Sequence, residues 1–427
     1  MALETPVAAD EAEPTDDSVK LVLVGDVGLN RNRQRVRAEG FQRGKRLYKW
    51  SELTANIAKL INGDINFMNM ETVVTESNKL RAQKKGVNFR THPNGFRHLL
   101  SLGFNLVSGA NNHTADYGSK GVLDTLRYLH DARKQLLGHA GLGKDNHAAT
   151  APASFRMKGK SFSLSALGIT SAGRRAGKHK PGCAGPRFKK DWAKATRRLR
   201  NTGSQFRMLS VHEGPERRVR PTTGLRRKWR SAMADGSADL VIGHHSHVAR
   251  GVERNKDGFI FYGLGNFLLE GDRNLRNVWS YRLCRDFGLL ARVYIRPNAR
   301  GRMTTRAIEI VPITGVSRIP KPMAPAVARK RVRVINYLAG MLDDKKRGAT
   351  GVRFAPQTDG SGLYCVPGAD KDPGRVGHLC RRYRKPAAVS RKLKRQLRYS
   401  CRVLSASERN PDPLYQAAPA TDRRRWK

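Results

Sequence analysis

The chain of 427 residues has few aromatic side chains, 7% of the total, and few acidic ones, 35 Asp and Glu against 82 Lys and Arg. Its five cysteines, Cys183, Cys284, Cys365, Cys380 and Cys401, include no C-x-x-C pair, which speaks against a zinc ribbon. Their odd number speaks against a complete disulfide framework, so reduced cysteines are expected. No run approaches the ~20 apolar residues of a membrane helix. The opening MALETPVAADEAEPTDDSVK is acidic, without the basic start and apolar stretch of a secretory signal. Together these features predict a cytoplasmic protein, the alternative being a peripheral one at the cell envelope. No internal repeat is visible. Gly263-Leu264-Gly265-Asn266 lacks the third glycine and the helix start of a dinucleotide fingerprint.

What is abundant is positive charge, a formal +47 with a pI near 11.0. A field of that sign favours polyanions: nucleic acid, anionic lipid, an acidic polymer or a phosphorylated substrate. An arginine-rich genome would produce the same balance without any partner. The charge is dense in residues 320–427, above all in RRYRKPAAVSRKLKRQLR (Arg381 to Arg398). Few aromatics interleave that stretch, which gives single-strand stacking little support. The predicted organisation is a disordered acidic N-terminus over 1–18, an α/β domain over 19–319, and a basic C-terminal extension over 320–427, partly helical or disordered.

Within 19–319 short apolar runs alternate with helical spacing. LVLVGD, INFMNMET, FNLVSGANNH, FRMLSVHEGPE and DLVIGHHSHV read as strands that end in polar groups, with helices between them. Such alternation implies βαβ units and a layered α/β sheet, and strand ends in such sheets share one crevice. The polar ends are Asp26; Asn69 and Glu71; Asn111, Asn112 and His113; His212, Glu213 and Glu216; and His244, His245 and His247. Imidazole and carboxylate suit Zn, Mn or Fe, and an asparagine carbonyl completes a hard donor set. Two ions a few ångströms apart could clamp both the attacking and the leaving oxygen of a displacement. Taken singly these residues have plainer readings: Asp26 as a helix cap, and Asn111, Asn112 and Asp116 as turn-formers. His92, His98, His130 and His139 read as ordinary core or surface histidines. Arg31 and Arg90 are candidate anion clamps.

In their order, VGDVGLN, NMET, GVNFRTHP, GFNLVSGANNHTADYGSKGVLDTL, GHAGLG, VHEGPE, IGHHSHV and YGLGNFLL resemble the motifs of the CapA-like family of capsule-synthesis, poly-γ-glutamate proteins over roughly residues 20–270. Ser246 stands where that family's Gly-His-His-Pro-His-Val motif has proline. The family is similar to calcineurin-like metallophosphoesterases, so the resemblance implies a layered metallophosphoesterase-like sandwich. It implies a divalent metal site, one or two ions of Mn, Fe or Zn, held by Asp26, Glu71, Asn112, His212, His245 and His247. His113 would be general acid or oxyanion partner, acting with Asp26 and Glu71 as the catalytic group. Asn69, Arg90, Glu216, His244 and Asn266 would contact substrate. Phosphoesterases open with Asp-x-His, and here Gly28 replaces that histidine, leaving one ligand missing or supplied by another residue such as Asn30.

The implied function is biosynthesis or processing of an anionic, capsule-type polymer, with the capsule-synthesis machinery as partner. One alternative is a phosphodiesterase or phosphatase acting on nucleic acid or a phosphorylated substrate. Another is a non-enzymatic scaffold that grips a polyanion over a degenerate metal site. The basic C-terminal region could serve nucleic acid or an anionic membrane surface in any of these.

Overall fold

The computed structural model describes residues 17–29, 35–269 and 282–402. Asn30, Arg31 and most of the expected acidic N-terminus lie outside the described residues, as do residues 403–427.

Two β-sheets pack face to face. The first contains β1 (Val19–Gly28), β2 (Ile65–Met70), β3 (Leu106–Ser108) and β4 (Gly138–Ala140). The second contains β5 (Ala153–Met157), β6 (Lys160–Gly168), β7 (Phe206–His212), β8 (Leu240–His244), β9 (Val252–Asn255) and β10 (Gly258–Phe261). The first sheet is extended by β11 (Asn266–Leu269), β12 (Gly288–Pro297) and β13 (Met303–Thr314). Strands β1 to β4 run parallel to one another, and so do β6, β7, β8 and β10 in the order β6-β7-β8-β10, while β12, β5 and β9 pair antiparallel with β1, β6 and β10. The carboxyl ends of each set therefore open on one edge.

Strand periodicity assigns the layers. In β1, Leu21 and Leu23 face the space between the sheets with Phe67, Leu106, Phe206 and Met208, whereas Val22 and Val24 face outward. The outer face of the first sheet is covered by α1 (Trp50–Thr54), α2 (Pro93–Ser101) and α3 (Gly118–Asp131), through Leu53, Phe96, Leu99, Val122 and Leu129. The outer face of the second, with Leu209, Val211 and Val241, meets Ala195 and Leu199 of α4 (Lys189–Arg200) and Leu225 and Trp229 of α5 (Thr223–Ala234). Helices outside two central sheets make the layered α/β sandwich expected from the alternation. The central strands β1, β2, β7 and β8 are buried on both faces, which is why their runs read as continuous rather than alternating.

The basic region beyond Pro320 is less of an appendage than its charge suggests. Helix α6 (Pro325–Gly340) buries Ala328, Val332, Ile335 and Leu338, spaced at helical period, against the inter-sheet core. Strand β14 (Ala349–Gly351) adds to the second sheet beside β9. Strands β15 (Ala355–Pro356) and β16 (Gly362–Cys365) extend the first sheet past β13, and α7 (Gly374–Arg381) and α8 (Arg391–Ser400) follow. These strands are only 3, 2 and 4 residues long and are built largely of Ala, Gly, Thr and Pro, so no apolar run announces them in the sequence.

The expectation of reduced cysteines is corrected. Cys284 is bonded to Cys401 and Cys365 to Cys380, and buried Cys183 is the odd thiol. Among the described residues no helix is long and apolar enough to cross a membrane.

Candidate metal centre

The register of the parallel strands brings the polar ends together. Asp26 pairs with Asn69 of β2 on one side and Asn266 of β11 on the other, and His212 at the end of β7 pairs with His244 at the end of β8. Asn69 bridges the two sheets: its Nδ2 donates to Asp26 Oδ1 at 2.8 Å and lies 3.1 Å from His212 Nδ1. With Nδ1 accepting from Asn69, Nε2 carries the proton and donates to Asn112 Oδ1 at 2.7 Å, a proton that a bound cation would displace. His247 Nδ1 lies 2.8 Å from Asn266 Oδ1 and 3.3 Å from Asp26 Oδ2. Glu71 Oε1 is 3.5 Å from His212 Nε2, 3.6 Å from His113 Nε2 and 4.0 Å from His247 Nε2.

Two overlapping triplets converge, Asp26, Glu71 and His212 in one and Glu71, His245 and His247 in the other. Within each, the candidate ligand atoms lie within 4.8 Å of one another. Glu71 belongs to both, the place of a bridging carboxylate. Asp26 and Glu71 are completely buried, and His245 Nδ1 and Asn69 Oδ1 are buried with no hydrogen-bond partner. Orphaned buried acceptors cost free energy that a bound cation would recover. The donor set, carboxylates and imidazoles with an asparagine oxygen, fits Mn, Fe or Zn.

Protonation follows the geometry. Burial would raise the Asp26 carboxyl, but His244 and His247 beside it, with His212, hold it well below the ordinary carboxylate range. Burial drives His212 far below its usual value and lowers His245 to about 4. His247 goes the other way: burial opposes it, but Glu71 and Asp26 raise it well above a normal histidine. Burial also lowers His113, partly offset by Asp116.

Backbone strain concentrates here. His245 and His247 have φ of 76° and 53°, and Arg217 has 56°, left-handed values uncommon for such side chains. Arg250, fully buried, holds the opposite loop by donating to Pro215 O at 2.8 Å and Arg218 O at 2.7 Å. In between lies Glu216, whose carboxyl is lowered by His247, His245 and Arg217 against the effect of burial.

Several expected site residues are placed differently. His244 sits behind Asp26, its Nδ1 3.3 Å from Oδ1 and its ring 5.7 Å from that of Phe67, 1% exposed and so withdrawn from any substrate. Arg90 lies over the Tyr117 ring, 5.0 Å from its centroid, and donates to Ser77 O at 3.1 Å. Asn69 and Asn266 orient Asp26, His212 and His247. Asn111 ties Met70 O to the His113 amide, and Glu213 pairs with Lys228 at 2.9 Å, facing away. At Gly28 a Cβ would lie 2.8 Å from Leu269 Cδ1 and 2.9 Å from the Glu71 carbonyl oxygen, so no side chain fits there.

Sequence reasoning did not find Lys85, Arg250 or the role of Asp116. Asp116 Oδ2 is 2.6 Å from His113 Nδ1, and its other oxygen is ion-paired with Lys85, whose Nζ also donates to Asn112 O at 2.9 Å. An acidic residue three positions after the histidine was the available signal.

A sandwich of two sheets with helices outside carries this candidate cage at its strand ends. The chain belongs to the family described as bacterial capsule synthesis protein PGA_cap, whose profile matches residues 20–270. It is 27% identical over 281 residues to the capsule biosynthesis protein CapA of Bacillus anthracis, a match covering 64% of this chain and 63% of that one. It is 26% identical over 301 residues to the PGA biosynthesis protein CapA of Bacillus subtilis (strain 168), covering 69% and 73%. Among solved structures, the calcineurin-like phosphoesterase YfkN from Bacillus subtilis aligns over 90% of this chain and 99% of that one, at 10% identity and a TM-score of 0.31. The NAD nucleotidase of Haemophilus influenzae aligns over 72% and 55%, at 11% identity and a TM-score of 0.33.

Proposed function

We propose that the protein is a metal-dependent hydrolase that cleaves a bond in an anionic capsule-type polymer, poly-γ-glutamate being the substrate that the family suggests. The observation that carries this reading is the convergence of Asp26, Glu71, His212, His245 and His247 in two triplets sharing Glu71. Asn112 would complete the donor set. A divalent ion bound there would act as a Lewis acid on the scissile group and the attacking water.

The chain's own residues supply the rest. His113 is neutral, and because its Nδ1–H donates to Asp116, Nε2 presents a lone pair toward Glu71. It can accept the proton that water loses and return it to the leaving group, a general base then acid. Asn69 and Asn266 hold the ligands in one orientation, and the Arg250-pinned loop carries Glu216 to the rim. The two disulfides support an oxidising compartment, against the cytoplasmic placement that reduced cysteines had suggested.

Incubating the protein with poly-γ-glutamate and Mn, and following chain length by gel filtration, tests this function. Shortening that is abolished by chelator and by His245→Ala is expected. A metal-loaded protein that leaves the polymer intact would overturn the hydrolytic assignment.

A further inference from the structure

A second feature lies away from the cage. A cleft of about 660 Å³ is bounded by the β9–β10 hairpin, by β16 and by the end of α7. Phe259 at the start of β10 pairs with Leu240, the first residue of β8, whose last residue is His244. The hairpin therefore marks the sheet edge opposite the cage.

Five cations line the cleft: Arg254, Lys256, Arg381, Arg384 and Lys385. None of them forms an ion pair with a carboxylate among the described residues, and Asp370 is the acidic side chain among the lining residues. Arg353, also at the wall, is already engaged by Asp343 at 2.6 Å. Arg254 is held in place, its Nε donating to Lys256 O at 3.0 Å and its Nη1 lying 3.5 Å from Tyr364 OH. The Cys365–Cys380 bond joins β16 to α7 and so fixes one wall to the other. Five like charges gathered around a single carboxylate repel one another, a cost that a bound anion offsets.

Either a polycarboxylate or a nucleic acid would complement the charge, and the rings decide between them. Tyr364 meets Tyr383 edge to face at 6.2 Å, and Phe259 and Phe354 likewise at 5.9 and 6.4 Å. Rings packed on one another leave no open platform for stacked bases. Of these rings Tyr364 and Tyr383 line the cleft, and with Val352, Val366 and Pro367 they make an apolar floor suited to aliphatic stems. We propose that this cleft is a second binding site, which grips successive carboxylates of an acidic polymer chain remote from the metal cage. The choice of polymer rests on the function proposed above; the site itself rests on the cleft.

Fluorescence anisotropy of a labelled oligoglutamate measures this binding. Replacing two forked contacts with Arg254→Gln and Arg384→Gln is expected to weaken it at least about tenfold. Arg381→Gln with Lys385→Gln, both exposed, should do the same, while Lys190→Gln with Arg197→Gln on α4 should leave affinity unchanged. Equal loss in the α4 pair would overturn the proposal in favour of diffuse charge. No binding by the parent protein, or an oligodeoxynucleotide that displaces the oligoglutamate at lower concentration, would also overturn it. Metal content should stay the same in every variant, so that failure here is separable from failure of the cage.

Discussion

His113 and Asp116, three residues apart on the turn after β3, are joined through Nδ1 and Oδ2 at 2.6 Å. This contact sets the imidazole tautomer, and Lys85 on the far oxygen fixes the carboxylate in turn. Asp116→Asn offers an amide that can donate to Nδ1 and so invert the tautomer. Polymer cleavage is expected to fall about 10–100-fold with metal content unchanged, the usual scale for a group orienting a site histidine. Loss of metal in parallel would place His113 among the ligands instead.

His247 gives the cage a pH dependence of known sign. Its value in the folded protein is raised, so in the metal-free state its protonated form contributes stability that is full below the unfolded value of about 6.5. That contribution is lost as pH rises through the folded value. A cation must displace this proton, so affinity should weaken about tenfold per pH unit on acidification below the folded value. Calorimetric titration with Mn in buffers of different ionisation enthalpy should find about one proton released. Affinity that is flat across neutral pH would show that His247 is unprotonated or not a ligand.

Gly28 tests whether the departure from Asp-x-His is a lost ligand or a built-in feature. Leu269 and the Glu71 carbonyl occupy the space that any side chain would need. Gly28→His should therefore lower stability by about 1–3 kcal/mol through overpacking, read as a lower melting temperature, and should gain no metal. An extra equivalent of bound metal in a stable variant would contradict the packing argument.

The Cys284–Cys401 bond spans 117 residues and ties the end of α8 to the segment before β12. Beside it, Arg285 donates to Ser400 O at 2.7 Å and to Arg217 O at 3.0 Å, reaching the strained loop at the cage. Cys401→Ser is expected to cost about 2–4 kcal/mol. Non-reducing peptide mapping should recover both linkages. Cys183, whose thiol burial pushes up to about 11, should resist alkylation until the chain unfolds.

Much of the sandwich was legible because its central strands are short apolar runs that end in unusual polar residues, several of them followed by a helix. The cage was legible for the same reason: Asp26, Glu71, His212, His245 and His247 all stand at strand ends, and parallel register carries strand ends to one edge. What is non-local was hidden. Lys85 reaches Asp116 across 31 positions, and the pairing of Cys284 with Cys401 has no local spacing to announce it. The strands after residue 348 were hidden because they are 2 to 4 residues long, too short for a periodic signal, although Leu363 among them packs into the core. Residue type and position in a motif do not say which way a side chain points, so the place of His244 behind Asp26 and of Arg90 over Tyr117 was not legible.

The central claim is that Asp26, Glu71 and the imidazoles hold a divalent cation, and elemental analysis of protein purified without chelator tests it most directly. About one or two equivalents of Mn, Fe or Zn are expected, retained in Arg90→Gln and lost in both Asp26→Ala and His245→Ala. A parent protein that binds none of these ions, even after incubation with them, would contradict the account.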